Sequence, residues 1–380
     1  MVMKKLLILG AGIIQVPIIR KAKENGYYTV VADYDENAPG FKYADKVSTV
    51  STIDKEAVLD LAIQEKVDGI LTTSDYPVNV VAYVGSKLNL PTMSQEVADI
   101  CTNKYKQRTM FLNNGIKTPY FKLCDASQDL SVFNEFPYIV KPCDSSASRG
   151  VKKVNNKIEL EQAFGDAMKY SRSSQVLIES FIEGREFSVE TLTQNNVTHV
   201  INITEKITKG EDLGYFVEDV HLEPARLTDE ERNLIANEVL SATKLIGFDD
   251  CPSHTEVKLN EKGAFIIEIA CRLGGDYITS DLVPLSTGVD MLDNLIRIAM
   301  GEPIDVEKNI NKVSFIQFLN QDNYYECIEF IVEHKDAIQS FEIEEKHDRP
   351  IKSSLDRMGY IVMQVDDYAE FNKIMDIIHK

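Results

Sequence analysis

Along the first hundred residues, short apolar runs alternate with stretches in which apolar positions recur every three to four residues. Leu6–Leu9 is apolar throughout, Ile13 to Asn25 has the helical period, and YTVVAD (28–33) is a second β run. VSTV (47–50), a helix near 54–65 and GILTT (69–73) continue the alternation. Strands alternating with helices predict an α/β unit built on a doubly wound parallel sheet. Asn103-Lys104-Tyr105-Lys106 starts a fresh helix, which Gly115-Ile116-Lys117-Thr118-Pro119 closes. From 120 to about 300 the pattern changes to antiparallel strand signals with two helices, 155–169 and 228–246, and Gly301-Glu302-Pro303 punctuates its end. Beyond it, 312–380 reads as a small α+β unit: VSFIQFL, a helix, YIVMQV and a final helix. No internal repeat is present.

One segment breaks the apolar pattern. In HTEVKLNEKGAFIIEIACRLGG (254–275) an apolar run carries Glu268 and, soon after, Arg272. Buried Glu and Arg are rare unless paired or bound to a metal. Asn260-Glu261-Lys262-Gly263 suits a three-residue hairpin loop with Gly263 as its left-handed residue. That turn pairs residue 260 with 264 and sets Glu256 opposite Glu268. It puts Val257, Leu259, Phe265, Ile267 and Ile269 on an apolar face, and His254, Glu256, Lys258, Glu268 and Arg272 on the other. Opposed side chains sit with Cβ atoms about 5 Å apart, so two carboxylates there repel unless a cation lies between them. The hairpin is therefore either a solvated polar face with Lys258 as counter-charge, or a place where Mg²⁺ is held against phosphate.

Composition narrows the classes. A chain of 380 residues has room for two or three domains. The net charge of -19 argues against nucleic acid, whose phosphates need a basic surface. Six cysteines without a C-x-x-C pair suit reduced cytoplasmic thiols better than a disulfide framework or a zinc site. No apolar stretch is long enough for a transmembrane helix, and the N-terminal apolar run leads straight into Gly10-Ala11-Gly12, so it reads as a strand and not a signal peptide. Gly10-x-Gly12 with Asp33 begins a dinucleotide fingerprint, but Gln15 occupies the third glycine position and argues against NAD.

The stretch from Glu256 to Gly275 resembles the metal-binding hairpin of the ATP-grasp superfamily, enzymes that join a carboxylate to an amine or similar nucleophile through an acyl phosphate. The family pattern is a first Glu or Asp, then Glu-x-Asn-x-Arg on the next strand; here it is Glu256, then Glu268-Ile269-Ala270-Cys271-Arg272, with Ala270 in place of Asn. The continuation RLGGDYITSDLVPLSTGVDML resembles the branch of L-amino-acid ligases and carnosine-synthase-like proteins. FPYIVKPCDSSASRGV (136–151) resembles the lid loop, with Lys141 at a strand end and Ser145, Ser146, Ser148 and Gly150 over the phosphates. QVLIESFIEGREFSVE (175–190) resembles the hinge whose backbone reads adenine, here Glu179, Phe181 and Ile182, with Glu186 on the ribose hydroxyls. Lys104 matches the first phosphate lysine. Glu218-Asp219-Val220-His221-Leu222-Glu223-Pro224 resembles the segment lining an amino-acid pocket, where Glu218 accepts an ammonium and His221 orients a carboxylate beside Arg272 and Gly275. By its composition alone, that segment is equally a solvated charged loop.

The resemblance implies a Rossmann-like pre-ATP-grasp domain at 1–102, an ATP-grasp body at 103–302 with a mobile lid over about 120–182, and a small C-terminal α+β domain at 303–380. It implies a cytoplasmic homodimer that uses ATP and Mg²⁺ (two ions, with Mn²⁺ as a substitute) and releases ADP and phosphate. Glu256 and Glu268 hold the metal, and Arg272 and Lys141 are catalytic. The partners it implies are a small carboxylate and an amine, with neither nucleic acid nor membrane. Two alternatives stay open: a purine-biosynthesis-type carboxylase or synthetase of the same fold, and a nucleotide-binding regulator without turnover.

Overall fold

Leu6, Leu7, Ile8 and Leu9 are all wholly buried, because the strand they form lies inside a parallel sheet with helices on both faces. Each such side chain contributes about 1.5–3 kcal/mol relative to exposure. The protein is described by a computed structural model that covers residues 3–145, 149–209, 214–348 and 353–379. Strands β1 (Lys5–Leu9), β2 (Tyr28–Asp33), β3 (Lys46–Thr49) and β4 (Gly69–Thr72) run parallel in the order β3-β2-β1-β4. Helix α1 (Val16–Glu24) packs on one face together with a helix from much later in the chain, Met291–Ala299. Helices α2 (Lys55–Glu65), α3 (Val78–Leu88) and α4 (Gln95–Cys101) cover the other. The expected helix from Ile13 opens as a 3-10 turn, Ile13–Gln15, before α1.

The Gln15 side chain lies against Gly10 and Gly12 and donates to Thr73 and Ser74. Asp33 is committed to the backbone N–H groups of Ala11 and Asp35.

Helix α5 (Lys104–Asn113), capped by the Asn103 side chain, leads into a four-stranded antiparallel sheet. Its strands are β5 (Phe121–Cys124), β6 (Tyr138–Pro142), β7 (Lys152–Val154) and β8 (Val176–Ser180), in the order β5-β8-β6-β7. Helix α6 (Lys157–Tyr170) packs on it.

The third sheet is antiparallel and positions most of the site. It contains β9 (Arg185–Gln194), β10 (Val197–Lys209), β11 (Val217–Glu223), β12 (Cys251–Asn260) and β13 (Gly263–Ala270). Helix α7 (Asp229–Ile246) is fixed at its start by a reciprocal cap between Thr228 and Glu231. Two helices absent from the periodicity reading follow, α8 (Val283–Thr287) and α9 (Met291–Ala299). α8 is only five residues long and follows a π turn over Ile278–Leu282, so no helical period registers there; α9, of nine residues, does carry the period and was overlooked.

The C-terminal strands extend this same sheet. β14 (Val313–Phe318) pairs with β11, and β16 (Gly359–Val365) lies between β14 and β15 (Ile338–Ile343), giving β13-β12-β9-β10-β11-β14-β16-β15. Helices α10 (Tyr324–His334) and α11 (Tyr368–Ile378) pack over it, and Val220 and Leu222 share a core with Phe315 and Phe371. Strand β15 escaped the sequence reading because it is an edge strand with hardly any buried positions, so its apolar pattern is weak. Among the described residues, no helix is long and apolar enough to cross a membrane.

Candidate active site

Glu256 and Glu268 are directly opposed across β12–β13, but by a route different from the expected one. The loop has two residues, pairing Asn260 with Gly263, which takes a φ of +117° that favours glycine. The residue saved there reappears as a bulge between Ile266 and Glu268. The core face is corrected accordingly. Val257, Leu259, Ala264, Ile266 and Ile269 are buried, whereas Phe265 and Ile267, expected inside, are only half-buried. The bulge also frees the Ile267 carbonyl, which accepts from the Arg108 guanidinium.

Each carboxylate holds a lysine. Lys104 Nζ lies 2.7 Å from Glu268 and also donates to the Ser145 carbonyl at 2.8 Å. Lys206 Nζ lies 3.0 Å from Glu256. The Lys206 field draws the Glu256 carboxyl down to about 2, against the opposing effect of burial. Burial works to lower the Lys104 ammonium, yet Glu268 and Asp75 hold it above the usual value. Arg272 reaches the N-terminal domain, its Nε donating to Asp75 at 2.6 Å. Burial disfavours both charges, but each stabilises the other: Arg272 is raised and Asp75 is lowered.

Below these lies a buried ion triple. Glu179 takes Arg108 Nε at 2.6 Å and Lys141 Nζ at 2.7 Å. Burial alone would raise the Glu179 carboxyl; the two cations hold it low. Burial, with help from Arg108 and Lys104, holds the Lys141 ammonium below its usual value despite Glu179. Glu179 thus enters through its side chain and not, as expected, through its backbone, which is committed to the sheet as its partners Phe121 and Ile139 show. The Phe181 N–H is likewise used, donating to Pro137, while its ring stacks on Phe216 under Lys153. Ile182 follows, half-buried, in the link to β9. Gly150 stands at the end of the loop with φ +74°; Ser146 and Ser148 lie outside the described residues.

On the neighbouring strands, Glu186 pairs with Lys206 at 3.2 Å and Lys258 at 3.1 Å. Glu218 and His221 belong to strand β11, not to a solvated loop. Glu218 meets Arg357 at 2.8 Å, and Arg357 also holds Asp276 at 2.8 Å while lying 3.6 Å over the Phe318 ring. His221 is 1% exposed, has neither ring nitrogen hydrogen-bonded, and sits within 4.8 Å of Glu218 and Asp276. Burial pushes the His221 imidazole down to about 4, so it is neutral at pH 7. Gly275 is exposed with open space at its Cβ position. Its neighbour Gly274 is the glycine that close packing demands: a Cβ there would lie 2.7 Å from His254 and 2.8 Å from Glu190.

The sequence reading missed Asp75, Arg108, Glu190, Lys206, Asp276 and Arg357, and it gave His254 no role. The His254 ring is in fact hydrogen-bonded, through Nδ1, with the wholly buried Glu190. No local motif marks these residues; the one available signal was a charge between apolar neighbours, as at Glu190 between Val189 and Leu192.

The donor set suits a hard dication beside phosphate. It offers two opposed carboxylate oxygens with cationic neighbours, and Ala270 adds no ligand. Two family descriptions match the chain: an ATP-grasp domain over residues 134–281, and a PylC-like N-terminal domain over residues 6–88. Among curated relatives, the formate-dependent phosphoribosylglycinamide formyltransferase of Bacteroides thetaiotaomicron is 26% identical, over 71% of this chain and 71% of its own length. The alanine–anticapsin ligase of Bacillus subtilis is 23% identical, over 79% of this chain and 68% of its own. Across the first curated matches, the share of the relative's length covered runs from 58% to 71%. In fold, the chain is similar to the L-amino acid ligase from Bacillus licheniformis, with a TM-score of 0.81 and 24% identity over 98% of this chain and 96% of that one.

Proposed function

The chain carries an ATP-grasp domain behind a PylC-like N-terminal domain, and from that premise we propose that it is an ADP-forming ligase that joins a carboxylate, of an amino acid in our reading, to an amine. One observation carries this: Lys104, Asp75 and the Lys141 ion triple, from elements far from it in sequence, converge on Glu256, Glu268 and Arg272 of one hairpin.

A carboxylate is a poor electrophile, because its leaving group would be oxide. Attack of its oxygen on the γ-phosphorus of ATP breaks the bond to the β-phosphate oxygen, releases ADP and turns that oxygen into part of a phosphate leaving group. The amine then attacks the carbonyl, loses a proton, and expels inorganic phosphate. Lys104 and Lys141 would neutralise and position phosphate oxygens, and Arg272, oriented by Asp75, would stabilise charge developing on the transferred phosphoryl and the tetrahedral centre. Mg²⁺, when bound by Glu256 and Glu268, would supply charge neutralisation at the β- and γ-phosphates; we read two ions, with Mn²⁺ able to substitute. Ser145, Ser146, Ser148 and Gly150 would cover the phosphates, with the hinge at Phe181 and Ile182 beneath the base and Glu186 on the ribose. Glu218 and His221, beside Arg272 and Gly275, would face the substrate. We divide the chain at 1–102, 103–302 and 303–380, with the lid near 120–182. All six cysteines are free and buried, which supports a reducing cytoplasm, and we read the enzyme as a homodimer.

The test is ADP release over amino acids offered singly and in pairs, followed by hydroxylamine with the active carboxylate alone. Hydroxamate and ADP are expected; AMP and pyrophosphate would point to adenylation and sink the assignment. A purine-type carboxylase or synthetase is the second reading, favoured by the similarity to the formyltransferase. Turnover only with a phosphoribosyl amine would select it, and ATP binding without ADP release from any pool would mark a regulator.

A further inference from the structure

Two carboxylates read above as metal ligands already hold a cation of the protein's own. Lys104, on Glu268, is accounted for by the phosphates. Lys206, on Glu256, is not. Its side chain is 5% exposed, and its ammonium lies 3.0 Å from Glu256, 3.2 Å from Glu186 and 3.3 Å from Glu218. These three carboxylates come from β12, β9 and β11, and Lys206 from β10 is in register with Glu186 and with His221. The sheet therefore places the ammonium, and no loop can carry it away.

Glu186 and Glu218 each have a second cation, although Arg357 is shared between Glu218 and Asp276. Lys258 lies 3.1 Å from the first and Arg357 2.8 Å from the second. Among the described residues, Lys206 is the only ion-pair partner of Glu256. With Lys104 on Glu268, each opposed carboxylate has a cation on its Oε1, so a free dication meets a pair whose charge is already offset and only half of whose oxygens are unengaged. A dication that arrives with nucleotide brings phosphate oxygens as further ligands and anionic partners for the lysines.

We propose that Lys206 is a positioning counter-cation that keeps free divalent metal off Glu256, so that metal binds with nucleotide and not before it. This rests on the reading of Glu256 as a metal ligand.

The experiment is Mn²⁺ binding followed by EPR, without and then with ADP, on wild type, Lys206→Arg, Lys206→Met and Glu256→Gln. Wild type and Lys206→Arg should bind free Mn²⁺ weakly and gain strongly on adding ADP. Lys206→Met should bind free Mn²⁺ about tenfold tighter or more, since a net negative pair then faces the ion, and should lose most of the gain from ADP. Wild-type Mn²⁺ affinity that ADP leaves unchanged would overturn the proposal whether or not the Met variant folds. So would a Met variant with native circular dichroism and wild-type affinity for free Mn²⁺. Failure of the underlying reading looks different: Glu256→Gln would bind Mn²⁺ with ADP as tightly as wild type.

Discussion

Glu256 faces Glu268 only because an extra residue at Ile267 in β13 makes up for a hairpin turn one residue shorter than expected. With the turn pairing Asn260 and Gly263, an unbroken ladder would set Glu256 against Ile267. The bulge restores the opposition of the two carboxylates and hands the Ile267 carbonyl to Arg108. One local irregularity thus connects the metal-type pair above to the ion triple below.

Glu268→Gln keeps the shape of this pair and removes one charge. Glu268 is partly exposed, so the fold should survive. Turnover should fall by on the order of a hundredfold or more, through lost charge stabilisation in the transition state. Nucleotide affinity should drop chiefly when magnesium is present. Wild-type turnover at limiting magnesium would refute the role of the hairpin.

Glu179→Ala tests the buried triple and reads out as stability. It would leave Arg108 and Lys141, 0% and 5% exposed, as adjacent cations without a counter-charge. Breaking such a buried pair costs about 3–5 kcal/mol, so the denaturant midpoint should fall sharply. A midpoint within experimental scatter of wild type would mean that water reaches the triple.

Lys141→Ala and Glu186→Ala should each raise the KM for ATP, by removal of a charge-assisted contact worth about 1.5–3 kcal/mol. Mg-ATP should protect the wild type against heat, and NAD should not. Protection by NAD alone would revive a dehydrogenase reading that Gln15 and Asp33 oppose.

Two buried groups should give stability opposite slopes in pH. Burial raises the Glu223 carboxyl to about 8, although Thr204, Asn202 and Ser286 donate to it. Its contribution is fully present below its unfolded value and is lost as pH rises toward 8, a cost of about 3 kcal/mol by pH 7. His221, pushed down to about 4, behaves in reverse: its contribution is present above its unfolded value and is lost as pH falls through 4. Melting curves of Glu223→Gln should therefore gain on wild type from pH 5 to pH 8. His221→Ala should lose least, relative to wild type, at pH 4. A Glu223→Gln advantage that does not change with pH would show the carboxyl to be ionised in the fold.

What the sequence by itself determined was whatever depends on period and nearest neighbours. The alternation of β and helical runs carries the parallel sheet of the first hundred residues, since side-chain direction repeats every two residues in a strand and about every 3.6 in a helix. The hairpin carboxylates, the cap at Asn103 and the strand ends around Lys141 are likewise short-range features. Only the tertiary structure decided which charges meet. Arg272 finds Asp75 from 197 residues away, Glu179 finds Arg108 across 71, and Glu256 finds Lys206 across 50. Those pairings follow from the strand order β12-β9-β10-β11 and from the way the parallel sheet docks on the hairpin. Neither leaves a periodic trace along the chain, because an ion pair is set by position in space and by burial, and separation in sequence does not enter it.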